Sequence, residues 1–235
     1  MSNNEKSISD LKSAYKNRSG PNLDNYSWFQ PDVCLYRQER DRVMLTLLKR
    51  AGLSDFPKMD IFEVGCGFGD NLLNLIKHGA LPERLSGSDI IDSRVEAAQH
   101  RLPAAVKLFT EDSSEKGLKN NSFDLILQFT VFSSILSDKM QAELAANLVQ
   151  SLKDDGYILW YDFLYNNPNN LNVRGCSKSK VQKLFPDSEI IFKKVTLAPP
   201  LGRALVRHFP LFYPLLNTFP FLRTHIFALI KKPKI

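Results

Sequence analysis

Between a short apolar run, Asp60 to Val64, and a helical pattern that opens at Asp70 stand three glycines in five residues, Gly65-Cys66-Gly67-Phe68-Gly69. Glycine tolerates left-handed backbone and lets the main chain approach a bound group. Strand, tight glycine turn and helix in that order therefore predict the first βα unit of an open α/β sheet, with a ligand at its carboxyl edge. The chain around this unit repeats the pattern. Helical spacing over Pro31 to Lys49, ended by Gly52, precedes strand one at Asp60 to Val64. A helix from Asp70 to His78 closed by Gly79 follows, then strand two at Arg84 to Ile90, and a helix capped by Asp92 or Ser93 that runs to about Arg101. Strand three is read at Ala105 to Thr110, strand four at Phe123 to Phe129, a helix at Asp138 to Leu152, and strand five at Tyr157 to Phe163. Beyond them come a short helix near Ser179 to Leu184, a strand at Glu189 to Thr196, a proline- and phenylalanine-rich segment from Pro199 to Arg223, and a last strand at Thr224 to Lys231. Short apolar runs alternating with helices predict a mainly parallel sheet.

A length of 235 residues with 43% hydrophobic content fits one full domain with additional segments and excludes disordered, collagenous and disulfide-scaffold classes for the bulk of the chain. Cys34, Cys66 and Cys176 show neither paired nor metal-ligand spacing, so no metal is expected. The polar opening residues and the lack of a long apolar run predict a cytoplasmic protein. Net charge is +6, yet the eight Lys and Arg after Glu189, where no Asp or Glu occurs, exceed that total by two, so residues 1–189 carry −2. A basic tail on a slightly acidic body lacks the broad basic face of a nucleic-acid binder, and nucleic acid is disfavoured as a partner.

The glycine spacing is GxGxG, one residue shorter than the dinucleotide fingerprint, and Glu63 and Asp70 flank it. Two carboxylates repel a pyrophosphate, whereas Glu63 would attract an ammonium group. On these residues the chain resembles the class I S-adenosylmethionine-dependent methyltransferases, whose first motif is an acidic residue, any residue, then GxGxG. The resemblance spans about Asp60 to Asp162. It implies S-adenosyl-L-methionine as cofactor, held by Glu63, Gly65, Cys66, Gly67 and Gly69. It also implies Asp89 and Ile90 at the end of strand two for the ribose, Asp112 and Ser113 for the adenine, and Gln128 and Phe129 at the end of strand four for the methionine part. Leu152-Lys153-Asp154-Asp155-Gly156 departs from the family's usual turn. The plainer readings are an inert small residue for Cys66, a turn cap for Asp112 and a helix N-terminal charge for Asp70. The implied fold is a single Rossmann-like methyltransferase sheet with an antiparallel last strand and helices on both faces. Residues 1–52 form an N-terminal arm and helix, and residues 53–235 the domain, with a helical lid inserted at 199–223.

Methyl transfer needs an acceptor held in line and water kept out. Asp162 at the end of strand five is the candidate general base, with Tyr161, Tyr165 and His208 behind it, and a loop-capping carboxylate is its alternative. Gln128-Phe129-Thr130-Val131 stands where amino-methylating base enzymes carry an Asp/Asn/Ser-Pro-Pro-aromatic motif, and Asn167-Pro168-Asn169-Asn170 lies one strand too late to replace it. In the insertion, Leu205, Phe209, Phe212 and Leu216 share one approximate helical face, and Arg203 and Arg207 sit one turn apart on another. Three readings stand for it: a lid packed on the core, the wall of a pocket for an apolar or lipid-linked acceptor, and a broken amphipathic hairpin on an anionic membrane at its inner face. Candidate acceptor-binding residues are Tyr165, Arg174, Arg203, Arg207 and His208. The chain is thus read as a methyltransferase acting on oxygen of a small or lipid-linked acceptor. The alternatives are a cofactor-binding regulatory protein without turnover and an RNA methyltransferase.

Overall fold

The computed structural model describes residues 23–110, 118–166, 170 and 172–233. Seven strands form one sheet: β1 (Ile61–Val64), β2 (Leu85–Ser88), β3 (Lys107–Phe109), β4 (Phe123–Phe129), β5 (Leu152–Phe163), β6 (Ile190–Leu197) and β7 (Arg223–Lys231). Their order is β3-β2-β1-β4-β5-β7-β6. β7 runs antiparallel to both neighbours and the other pairings are parallel. The helices are α1 (Pro31–Arg50), α2 (Asp70–Lys77), α3 (Asp92–Arg101), α4 (Asp138–Ser151), α5 (Lys178–Leu184) and α6 (Phe212–Asn217).

The central strands are apolar at nearly every position because both faces are covered. Ile61, Leu125, Leu127, Leu159 and Phe227 pack on one face against Met44, Leu48, Leu72, Leu75 and Ala98 of α1, α2 and α3. Their sequence neighbours Phe62, Ile126, Ile158, Trp160 and Ala228 pack on the other against Leu144 and Leu148 of α4, Val181 of α5 and Phe185 just after it. This period-two division fixes the register, since a one-residue slip would exchange the two sets.

Three expectations are corrected. β5 begins at Leu152 rather than Tyr157, because Leu152 pairs with Phe123 across a register shift. Lys153 then reaches Asp60 at 2.8 Å and Asp124 at 2.7 Å over the amino ends of β1 and β4. Neither Asp92 nor Ser93 caps α3. Its N-cap is Ile91, and the Ile91 N–H is taken by Asp89 Oδ1 at 2.9 Å.

The third correction concerns the segment after β6. It forms a helical stretch over Pro199–Leu201, a π-helical turn over Gly202–Val206, α6, and a turn over Pro220–Leu222. Val206, Tyr213 and Asn217 face inward, while Leu205, Phe209 and Phe212 of the expected apolar face are exposed and only Leu216 packs inward. Polar anchoring decides this orientation. The buried Glu39 carboxylate of α1 accepts hydrogen bonds from Tyr213 Oη (2.6 Å), Asn217 Nδ2 (2.7 Å) and the Thr196 backbone N–H (3.1 Å).

Candidate functional site

Gly65, Gly67 and Gly69 all have positive φ, at 67°, 53° and 77°. A Cβ on Gly65 would lie 2.3 Å from Val131 Cγ2, and one on Gly69 2.7 Å from Leu102 Cδ1, so these two let the turn pack closely. Gly67 differs, because the nearest atom to its Cβ direction is Asp89 Oδ2 at 4.0 Å. The space above Gly67 is open and bordered by a carboxylate. Asp89 is held there by two backbone donors, Gly67 N–H to Oδ2 and Ile91 N–H to Oδ1, both at 2.9 Å. Each oxygen keeps a second lone pair for a hydroxyl donor. Ile90 stands half-buried beside it, and Cys66 is buried with its thiol pushed up by desolvation, the state of an inert packing residue.

Glu63 is 1% exposed. Its Oε1 accepts from Asn71 Nδ2 at 2.5 Å, and its Oε2 has no hydrogen-bond partner among the described residues. Burial pushes this carboxyl up to about 8, against the opposing pull of the Asn71 hydrogen bond and of Arg40. Asn71 Oδ1 in turn accepts from Arg40 Nη2 at 3.2 Å. The Arg40 guanidinium stands 5.2 Å from the ring centre of Phe129 and 5.6 Å from that of Tyr161, and its Nε is buried without a partner among the described residues. A carboxylate and a guanidinium, each with a spare hydrogen-bonding atom, are thus bridged by one amide beside the glycine turn. Sequence reasoning missed Arg40 and Asn71. They come from α1 and α2, and no local spacing connects an arginine to a motif 23 residues later.

Arg40 and Tyr161 also border a second space, a cavity of about 180 Å³ between α1, the ends of β5 to β7 and the insertion. Tyr36, Thr196, Arg203, Tyr213 and His225 contribute to its wall. Tyr161 Oη and Thr196 Oγ1 share a hydrogen bond at 2.9 Å, and the His225 ring stacks on Tyr161 with centres 5.0 Å apart. Desolvation, with Arg40 assisting, pushes His225 down to about 3, so its ring is neutral. Thr196 has φ 63°, a strained value for a β-branched residue.

Apart from Phe129, beside Arg40, and Arg203, in the cavity wall, the other expected residues lie elsewhere. Asp162 is fully buried, with Oδ2 accepting from the Ser133 N–H (3.1 Å) and Gln128 Nε2 (3.3 Å) and Oδ1 from the Phe163 N–H (2.8 Å). Burial raises its carboxyl to about 6. It points away from the Tyr161 face and braces the loop after β4, the loop-capping alternative. Gln128, also fully buried, serves the same loop by accepting the Val131 N–H at 2.9 Å. Phe129 packs on Tyr161 and Phe227. Arg174 is paired with Asp138 at the start of α4 rather than free for an anionic acceptor. Arg207 is paired with Asp32 at 3.1 Å and bonded to Asn25. Tyr165 bonds Lys194, and His208 is exposed; of the five, Arg203 alone lines the cavity. Asp112, Ser113 and residues 167–169 lie outside the described residues.

Residues 61–156 match the family described as "Methyltransferase domain". Among curated proteins, the chain is 31% identical over 111 residues to the tRNA N(3)-methylcytidine methyltransferase Mettl2 of Drosophila melanogaster, a match over 44% of this chain and 34% of that protein. The chain therefore spans about a third of the length of the curated relatives it matches. Among solved structures, it resembles a sarcosine dimethylglycine methyltransferase from Galdieria sulphuraria with a TM-score of 0.64 at 12% identity, over 84% of this chain and 86% of the other. It also resembles StiE O-MT with a TM-score of 0.62 at 17% identity, over 96% of this chain and 82% of the other. At such identities these structures speak to the fold alone.

Proposed function

Because residues 61–156 of this chain match the methyltransferase-domain family, we propose that the protein transfers a methyl group from S-adenosylmethionine to an oxygen of a small or lipid-linked acceptor seated in the cavity beside Arg40. The observation that carries this reading is the Glu63–Asn71–Arg40 bracket. Its two spare atoms are Glu63 Oε2, on a carboxyl that becomes an anion when it gives up its proton, and Arg40 Nε, on a cation, the pair needed by the ammonium and carboxylate of an α-amino acid. The open space over Gly67, bordered by Asp89, suits a ribose diol a few ångströms further along the same edge.

The residues present fit the cofactor. Glu63 and Arg40 would hold its amino-acid end, Asp89 its ribose, and Phe129 with Tyr161 would wall its methionine portion. Bound there, S-adenosylmethionine supplies an electrophilic methyl group on a sulfonium. The chain's own task is positioning and dryness. Gln128 and Asp162 fix the loop after β4, Tyr161 and His225 close the base of the cavity, and Arg40 separates the two spaces while facing both. The neutral His225 ring and the Tyr161–Thr196 hydroxyl pair are the hydrogen-bonding groups offered to an acceptor hydroxyl. On this reading the methyltransferase domain covers residues 53–235, with α1 and the 199–223 insertion as the walls of its acceptor side.

A second reading, RNA base methylation, is favoured by the 31% identity to the Drosophila tRNA enzyme. The charge distribution favours the first. Five of the eight basic residues of the tail are engaged within the molecule, Lys194 with Tyr165, Arg207 with Asp32, Arg223 with Asn217, Lys231 with Asp155 and Lys232 with Asp154. What remains is local and does not form the broad basic face along which a phosphate backbone is tracked. Incubating the protein with methyl-labelled S-adenosylmethionine and a fractionated cell extract separates the readings. Label in the small-molecule or lipid fraction supports the proposal, and label confined to the RNA fraction replaces it with the second reading.

A further inference from the structure

The outward face of the insertion carries more large apolar side chains than its inward face. Leu211 is 87% exposed and Phe221 73%, with Phe209 and Leu215 also more than half exposed. A second apolar tract, Trp28 and the 97%-exposed Phe29, lies just before α1. The two tracts adjoin, because Arg207 joins Asn25 and Asp32 and the Gly202 backbone lies against Asp32. Tyr26 and Arg203, which stand beside these tracts in the sequence, form part of the cavity lining. An exposed aromatic surface of this extent marks a contact with another apolar phase.

We propose that this surface docks the protein on a lipid bilayer rich in anionic headgroups, with the cavity opening toward the lipid. Two features favour a bilayer over a second protein. Phe29 and Leu211 project nearly free, and Phe209 with Phe212 and Phe219 with Phe221 form exposed ring pairs on short helical pieces rich in proline, as scattered anchors rather than a flat complementary plate. The charge around them is basic: Arg203 is exposed and without an ion pair among the described residues, no Asp or Glu follows Glu189, and Asp32 beneath the patch is neutralised by Arg207. No helix among the described residues is long and apolar enough to cross a membrane. The docking is independent of which acceptor is methylated and is read without turnover.

The test is flotation of the full chain with vesicles of phosphatidylcholine alone or with about 30 mol % phosphatidylserine, at low and high salt. The protein should float with the anionic vesicles, less so in high salt, and Trp28 emission should shift to the blue while the buried Trp160 stays unchanged. Replacing Phe29 and Leu211 by serine should reduce flotation at least about tenfold. Binding of S-adenosylhomocysteine, measured by calorimetry on the same variant, should be unaltered and establishes that it is folded. Wild-type protein remaining with the pellet in both vesicle types would overturn the proposal, as would a double variant that floats like the wild type. A dimer in light scattering that Leu211→Asp dissociates would overturn it in favour of self-association.

Discussion

Two carboxylates show how one functional group takes different work from its surroundings. Asp89 is fixed by two backbone N–H groups at the open edge, so its lone pairs remain for a ligand. Asp89→Ala should weaken S-adenosylhomocysteine binding by at least about tenfold, roughly 1.4 kcal/mol, in a calorimetric titration; unchanged affinity would remove its assigned role. Glu63 is buried, and Arg40, Asp70 and Asp89 are the charges that act on it. Its carboxyl titrates near 8 without ligand, so at lower pH it is protonated and offers no charge to an ammonium. Cofactor affinity should therefore rise from pH 6 to pH 8 with release of a proton, and Glu63→Gln should flatten that slope. Stability runs the other way. For an acid raised on folding, the native state binds the proton more tightly than the unfolded chain, so stability is full below the ordinary value and falls as pH climbs through the raised one. Glu63 and Asp162 both act in this direction, between about 4 and 8. The melting midpoint of the ligand-free protein should fall across that window, and saturating S-adenosylhomocysteine should reduce the drop.

At the scale of elements, the insertion is held by buried polar bonds as well as by the apolar cluster of Leu197, Val206 and Tyr213. Glu39 collects donors from α6 and β6, and removing it leaves Tyr213, Asn217 and the Thr196 N–H without their acceptor. Glu39→Ala should cost about 3 kcal/mol and release the segment first, so that trypsin cuts at Arg203 and Arg207 before global unfolding. Cleavage spread evenly along the chain would deny the segment this separate attachment. The same element marks where sequence reading stops. Strand positions could be read because both faces of the central strands are buried, and an uninterrupted apolar run such as Phe123 to Phe129 has few alternatives. The insertion offered an apolar stripe at helical spacing, yet the face that turned inward was selected by a carboxylate more than 150 residues away. Likewise the start of β5 was hidden because Lys153 and the paired acids Asp60 and Asp124 meet only after the sheet has formed.

On the scale of the whole molecule, the order 3-2-1-4-5-7-6 brings two spaces to one edge, the glycine turn after β1 and the cavity at the ends of β5 to β7, with Arg40 of α1 between them. The glycine turn and Asp89 were legible because they are local to strand ends. The bracket of Glu63, Asn71 and Arg40 was not, since its members come from β1, α2 and α1 and converge only in the folded chain. That bracket is also the central claim, and it predicts selectivity for the amino-acid end of the ligand. The direct measurement is calorimetric titration with S-adenosylhomocysteine and with methylthioadenosine, which lacks that end, on the wild type and on Arg40→Ala. The wild type should prefer S-adenosylhomocysteine by about a hundredfold, roughly 2.7 kcal/mol, and Arg40→Ala should lose most of the preference. Equal affinity of the wild type for both ligands would contradict the account.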